Sequence, residues 1–303
     1  MCKLRFFLLF LLTLTFISCS REGAKNPSGS IIIKDDLNDT ISLPLAPKRV
    51  ISLAPNMTEM IFAIGEGKKL VGNTLYCNYP EAAKKITKVG DMLSIDYEKI
   101  LSLKPDLIFI TVEGNAKDSY EKLVKLGFKV FVSNPRNFDG IKKTFSDLGK
   151  IFGKQARAKN IISEWDKHYN IITGEVKKYP PQTAMFLIGL SPIMLAGKNT
   201  FINGLMTSDG LINIAGDSPF NYPIYSREEI LKKNPDYILM TGTSDKDSKK
   251  LTQAYKEWKF LKAIKNGNVI VVDPDLYLRP GPRFIDALEN LFRKIHPHQN
   301  TGH

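Results

Sequence analysis

An α/β fold of two lobes, each built on a mainly parallel sheet and joined by a single long connecting helix, is what this sequence predicts. Three observations predict it. A thirteen-residue unit occurs twice at an offset of 130, strand-like apolar runs alternate with helical patterns around each copy, and a long helical stretch separates the copies.

The repeat is Asp96-Tyr-Glu-Lys-Ile-Leu-Ser-Leu-Lys-Pro-Asp-Leu-Ile108 against Ser226-Arg-Glu-Glu-Ile-Leu-Lys-Lys-Asn-Pro-Asp-Tyr-Ile238. Glu98/Glu228, Ile100/Ile230, Leu101/Leu231, Pro105/Pro235, Asp106/Asp236 and Ile108/Ile238 are identical without a gap. Asp96 and Ser226 are good N-cap residues, and Ser226 with Glu229 spells a capping box. The Pro-Asp pair stops the helix, because the residue before proline is pushed out of helical geometry. A β-rich run follows in each copy, so the unit is a helix feeding a buried strand.

Each copy sits in a similar setting. Arg49–Leu53 precedes the first and Lys129–Val132 follows it; Ala184–Ile188 precedes the second and Val269–Val272 follows it. Between the copies, Ile141, Phe145, Leu148 and Phe152 keep helical spacing, Gly153 interrupts, and Ile161, Trp165, Tyr169, Ile172 and Val176 resume it. Trp165 and Tyr169 are expected to pack in the core. The resulting boundaries are an N-terminal lobe at 41–138, a connecting helix at 139–179, a C-terminal lobe at 180–296 and a tail at 297–303.

The N-terminus reads as an export signal. Lys3 and Arg5 precede an uncharged apolar run, Phe6–Ile17, followed by Ser18-Cys19. That run is too short to span a hydrocarbon core, which needs about 20 helical residues. Phe16-Ile17-Ser18-Cys19 resembles a bacterial lipobox, which implies a signal at 1–18 and a lipid on Cys19. The stretch Ser20–Ser30 is polar and contains Gly and Pro, so 19–40 is assigned as the lipidated cysteine and a flexible tether.

Composition narrows the chemistry. The net charge of +12 comes from lysines scattered through helical patterns, whereas nucleic-acid binding wants a clustered basic face. Cys2 and Cys19 fall in the signal, which leaves Cys77 without an internal disulfide partner. Four histidines, His168, His296, His298 and His303, offer little for a metal site. No nucleophile elbow, zincin or P-loop motif occurs. A binding protein is expected, with no enzymatic activity, no metal centre and no resident cofactor.

Pro47-Lys-Arg-Val-Ile-Ser-Leu-Ala-Pro-Asn-Met-Thr-Glu59, Tyr76-Cys-Asn-Tyr-Pro80, Leu103-Lys-Pro-Asp-Leu-Ile108 and Arg279-Pro-Gly-Pro-Arg283 occur in order. Over about residues 46–295 the chain resembles the solute-binding proteins of ABC importers for cobalamin, haem and ferric siderophores, the cobalamin binders most of all. The resemblance implies a class III periplasmic-binding-protein-like fold, a monomer, and a ligand held between the lobes. It implies that Glu98 and Glu228 dock on arginines of a membrane permease. It also implies that Tyr76 and Asp275 line the cleft, and that Tyr222, Met92 and Thr111 stand where the cobalamin binders carry tryptophans. Phe220, Tyr225 and Tyr277 lie near the same loops. A corrinoid is the first expectation for the ligand. An anionic siderophore would call on Arg136, Arg279 and Arg283, and haem on Tyr76 or Tyr79 as an axial ligand. A surface adhesion protein on the same scaffold is the alternative of a different class.

Overall fold

The computed structural model describes residues 30–297. The signal, Cys19, the tether to residue 29 and the tail beyond 297 lie outside the described residues. Among the described residues no helix is long and apolar enough to cross a membrane.

The chain opens on an antiparallel hairpin, β1 (Ser30–Lys34) and β2 (Thr40–Pro44), with Ile31 opposite Leu43 and Ile33 opposite Ile41. Ile33 and Leu43 are buried. The turn is closed by Asp35, whose Oδ1 accepts from the Leu37 and Asp39 amides. Asp36 then ties the hairpin to the lobe, accepting from the Asn134 amide at 2.6 Å and from Lys143 Nζ at 2.7 Å. Residues 30–40, expected to belong to a tether, are therefore part of a folded hairpin.

The N-terminal lobe contains β3 (Val50–Ser52), α1 (Pro55–Ala63), β4 (Leu70–Asn73), α2 (Tyr97–Leu103), β5 (Leu107–Thr111), α3 (Lys117–Lys125) and β6 (Val130–Ser133). Its sheet runs β4-β3-β5-β6, parallel throughout. Next come α4 (Phe138–Phe152) and α5 (Gln155–Val176). The C-terminal lobe contains β7 (Gln182–Leu190), β8 (Ile193–Leu195), α6 (Phe201–Ser208), β9 (Leu211–Asn213), α7 (Arg227–Lys233), β10 (Tyr237–Thr241), α8 (Lys249–Ala254), α9 (Lys262–Lys265), β11 (Val269–Val272), α10 (Pro274–Tyr277) and α11 (Phe284–Ile295). Strands β9-β7-β10-β11 reproduce the parallel order of the first lobe, and β8 adds an antiparallel strand to β7.

The repeat has one physical job in both lobes. Asp96 caps α2 by accepting from the Lys99 amide, and Ser226 with Glu229 forms a complete capping box on α7. Both helices end on a left-handed residue, Lys104 at φ 47° and Asn234 at φ 44°. The aspartate after each proline then reaches the neighbouring strand. Asp106 Oδ2 accepts from the Lys48 and Arg49 amides, and Asp236 Oδ2 from the Thr183 amide and hydroxyl.

The predicted single connecting helix at 139–179 is two helices. Gly153, at φ 66°, ends α4 in the left-handed region that favours glycine. The chain reverses there, and α5 packs back along α4, with Phe145 against Trp165 at 4.7 Å between ring centroids. One helix, α5, is left to run between the lobes. Beside it Phe138, Tyr169, Phe201 and Phe284 form an aromatic stack with centroids 4.5 to 5.7 Å apart. Such pairs contribute about 0.5–1.5 kcal/mol each beyond area burial. They join α4, α5, α6 and α11 into one core shared by both lobes.

Candidate functional site

The carboxyl ends of both parallel sheets open on a common cleft, where ligands of such sheets are generally held. The cleft encloses about 440 Å³. All five residues expected there line it: Tyr76, Met92 and Thr111 from the N-terminal lobe, Tyr222 and Asp275 from the C-terminal lobe. Thr111 is the last residue of β5, Asp275 is the second residue of α10 just after β11, and Tyr222 lies four residues before the N-cap of α7. Ile188, Met194, Phe201 and Ile202 give the C-terminal wall an apolar surface.

The floor under Met92 is held by residues the sequence reading missed. Asn115 uses its whole side-chain amide: Oδ1 accepts from the Thr111 amide, while Nδ2 donates to the carbonyls of Leu53 and Met92. Gly114 lets Met92 lie flat, because a Cβ there would collide with Met92 Cε and come within 2.7 Å of Thr111 Oγ1. The available signal was position, since these residues directly follow the end of a parallel strand.

Two ionic clusters cross between the lobes. In the first, Glu59 of α1, its side chain 1% exposed, accepts from Arg279 Nη1 at 3.0 Å and from Arg283 Nε and Nη2 at 2.8 and 2.7 Å. Arg279 also donates to Asn78 Oδ1, to the Tyr76 carbonyl and to Asp275, and Asn78 Nδ2 donates to Asp275 Oδ2. Burial works against the Arg283 charge, but Glu59 outweighs it and its pKa rises. Arg283 also lies over the Tyr79 ring at 4.3 Å. Arg279 and Arg283, two of the arginines expected for an anionic ligand, are thus committed to carboxylates.

The second cluster is half-exposed. Glu113 pairs with Arg136, and Arg136 Nη1 donates to the Asn199 carbonyl of the other lobe at 3.0 Å. Burial raises the Glu113 pKa, opposed by Arg136 and by the neighbouring Tyr222 hydroxyl. Burial and the Glu113 carboxylate push the Tyr222 phenol up to about 12.

The other candidates divide clearly. Tyr277 is core, fully buried with its hydroxyl on Asn290 Oδ1. Phe220 is 69% exposed outside the cleft wall, and Tyr225 packs under Lys233. Trp165 and Tyr169 pack against core aromatics. Cys77 is buried, with the Thr58 and Thr74 hydroxyls each 3.2 Å from its sulfur. Glu98 and Glu228 are exposed at the second position of α2 and α7, one on each lobe. An acid there gains about 0.3–1 kcal/mol from the helix dipole. No group of three or more His, Cys, Asp or Glu suited to a metal occurs among the described residues.

Residues 50–276 match the family described as "Periplasmic binding protein". The ABC transporter substrate-binding lipoprotein YvrC of Bacillus subtilis is 31% identical over 92% of this chain and 89% of its own length. The vitamin B12-binding protein of Yersinia pseudotuberculosis is 28% identical over 89% and 93%. Among solved structures, the periplasmic vitamin B12 binding protein BtuF of Vibrio cholerae superposes with a TM-score of 0.74 at 28% identity, covering 84% of this chain and all of that one. A periplasmic heme-binding protein from Pseudomonas aeruginosa shares the fold, with a TM-score of 0.76 at 23% identity over 84% and 94%. With its two parallel sheets facing one cleft and most of its length matched, the chain belongs to the periplasmic binding protein family.

Proposed function

We propose that this protein is the solute-capturing lipoprotein of an ABC importer, and that its cleft takes a cobalamin-like corrinoid. The observation that carries the ligand is the charge of the cleft. Its walls are largely apolar, and the arginines at its edges already face carboxylates of their own. A siderophore or haem brings anionic groups that need cations to spare. A corrinoid rimmed with neutral amides needs apolar area and hydrogen-bond acceptors, which Tyr76, Tyr222, Met92, Met194, Glu113 and Asp275 offer. In this reading no residue is catalytic.

The lipid on Cys19 is part of the same reading, supported by the lipobox-like sequence and by a relative named as a lipoprotein. So is docking through Glu98 and Glu228. Each is exposed on a short, well-capped helix of its own lobe, a geometry suited to setting register against a cationic partner. The permease would then separate the lobes and release the ligand.

Titration of the mature protein with cyanocobalamin, haemin and a ferric hydroxamate tests the ligand. Cyanocobalamin is expected to bind tightest, at one site. Tight binding of haemin alone would replace the corrinoid with haem, with the 59%-exposed Tyr76 as its axial ligand. Binding of none would favour a surface interaction protein. Reversing the charge of Glu98 and Glu228 together should abolish uptake and leave ligand affinity unchanged; a parallel loss of affinity would end the docking role.

A further inference from the structure

The charged residues lining the cleft are Glu113, Asp275 and Arg279. Arg279 is held by two carboxylates, Asp275 and the buried Glu59. Arg136, which pairs with the cleft-lining Glu113 without lining the cleft itself, is held differently. Among the described residues its carboxylate partner is Glu113 alone, and both side chains are 29% exposed. Its Nη1 is committed to Glu113 and the Asn199 carbonyl, while Nε and Nη2 have no hydrogen-bond partner among the described residues. A guanidinium with that fork free is a ready grip for a carboxylate, the bidentate geometry in which arginine binds most strongly.

We propose that Glu113 is a selectivity residue: standing at the cleft wall and pairing with Arg136, it turns away ligands that present an anionic group and favours ligands that present neutral N–H donors. An incoming carboxylate on the free Nε/Nη2 edge would have to share the single charge of Arg136 with Glu113, with two like charges crowded in a partly buried place. An amide meets no such conflict. A carboxylate has about four lone-pair sites, so Glu113 can keep Arg136 and still accept an amide N–H. The raised pKa of Glu113 accords with a carboxylate placed where burial disfavours charge and Arg136 compensates. Glu113 therefore excludes one class of ligand and recognises another with the same oxygens.

This inference rests on the cleft being the ligand site, and its test separates the two. Affinities for haemin, a dicarboxylate, and cyanocobalamin, rimmed by neutral amides, are measured for the wild type, Glu113→Gln, Glu113→Asp and the double variant Glu113→Gln/Arg136→Gln. Freeing Arg136 in Glu113→Gln should strengthen haemin binding about tenfold, the scale of one charge-assisted contact. Cyanocobalamin affinity should fall, because the glutamine side chain keeps one acceptor oxygen where the carboxylate had two. Glu113→Asp should show no haemin gain, and the double variant should lose it. Haemin affinity unchanged or weakened in Glu113→Gln, or both ligands moving in parallel, would overturn the inference and leave the Glu113–Arg136 pair a tie between lobes. Failure of the wild type to bind cyanocobalamin would count against the corrinoid reading instead, because the haemin comparison is read independently.

Discussion

The lobes of this protein are joined by two ionic clusters of opposite character, and the contrast separates what holds the molecule together from what faces the cleft. Glu59 sits beneath two arginines with both oxygens occupied and its side chain sealed from solvent. Glu113 meets one arginine, with a third of each side chain still wet and part of the guanidinium fork free. In a sealed site a charge deprived of its partner has no water to fall back on, so the Glu59 cluster is a permanent clamp. In a half-open site water or ligand can replace a partner, so the Glu113 cluster can be rearranged at modest cost.

The sharpest way to break this comparison is at Glu59. Glu59→Gln leaves Arg279 and Arg283 short of a charge in a dry place, and a loss of about 3–5 kcal/mol is expected from urea denaturation. A loss below about 1 kcal/mol, the range of exposed pairs, would make the two clusters equivalent. Next in size is Gly204, which brings α6 against the start of α4. A Cβ there would lie 3.0 Å from the Arg136 carbonyl and 3.2 Å from Asn137 Cα. Gly204→Val should cost about 1–3 kcal/mol by overpacking, read in the same denaturation experiment. Arg136→Gln, at the half-open cluster, should cost only about 1 kcal/mol in the same denaturation experiment.

The smallest effect is a pH dependence. The folded-state pKa of Glu113 lies above its unfolded value, because burial raises it. The folded state then holds the proton more tightly, so the stabilisation is full below the unfolded pKa and is lost as pH rises through the folded pKa. Glu113→Gln removes this dependence, and the stability of the variant relative to the wild type should climb as pH rises through the carboxylate range. A difference that stays flat with pH would place Glu113 in ordinary solvent.

The docking candidates and the lobes were readable because their signals are local. Asp96 and Ser226 announce helix starts, Pro105 and Pro235 announce helix ends, and the same thirteen-residue spacing recurs. Tyr76, Met92, Thr111, Tyr222 and Asp275 were legible through family resemblance, and the structure brings them to one cleft. The opening hairpin was also within reach, since Ile31 to Ile33 and Ile41 to Leu43 flank a polar turn, yet the tether was carried past it. Gly153 was seen to interrupt the connector, but sequence periodicity does not say whether a chain kinks or reverses at a glycine. The packing of Phe145 on Trp165 decides for reversal.

By itself, then, the sequence determined the alternation of helix and strand, the duplication of the lobe and the residue types available to a binder, because capping, proline stops and apolar periodicity act over a few residues. The partners of the charges were decided by the tertiary structure alone. Arg279 and Arg283 look like anion receptors in sequence, and they are spent on a glutamate 220 and 224 positions away. Arg136 and Glu113 meet across 23 positions at the ends of adjacent strands. A charge acts through its distance in space and the water around it, and neither is written along the chain until the lobes close on each other.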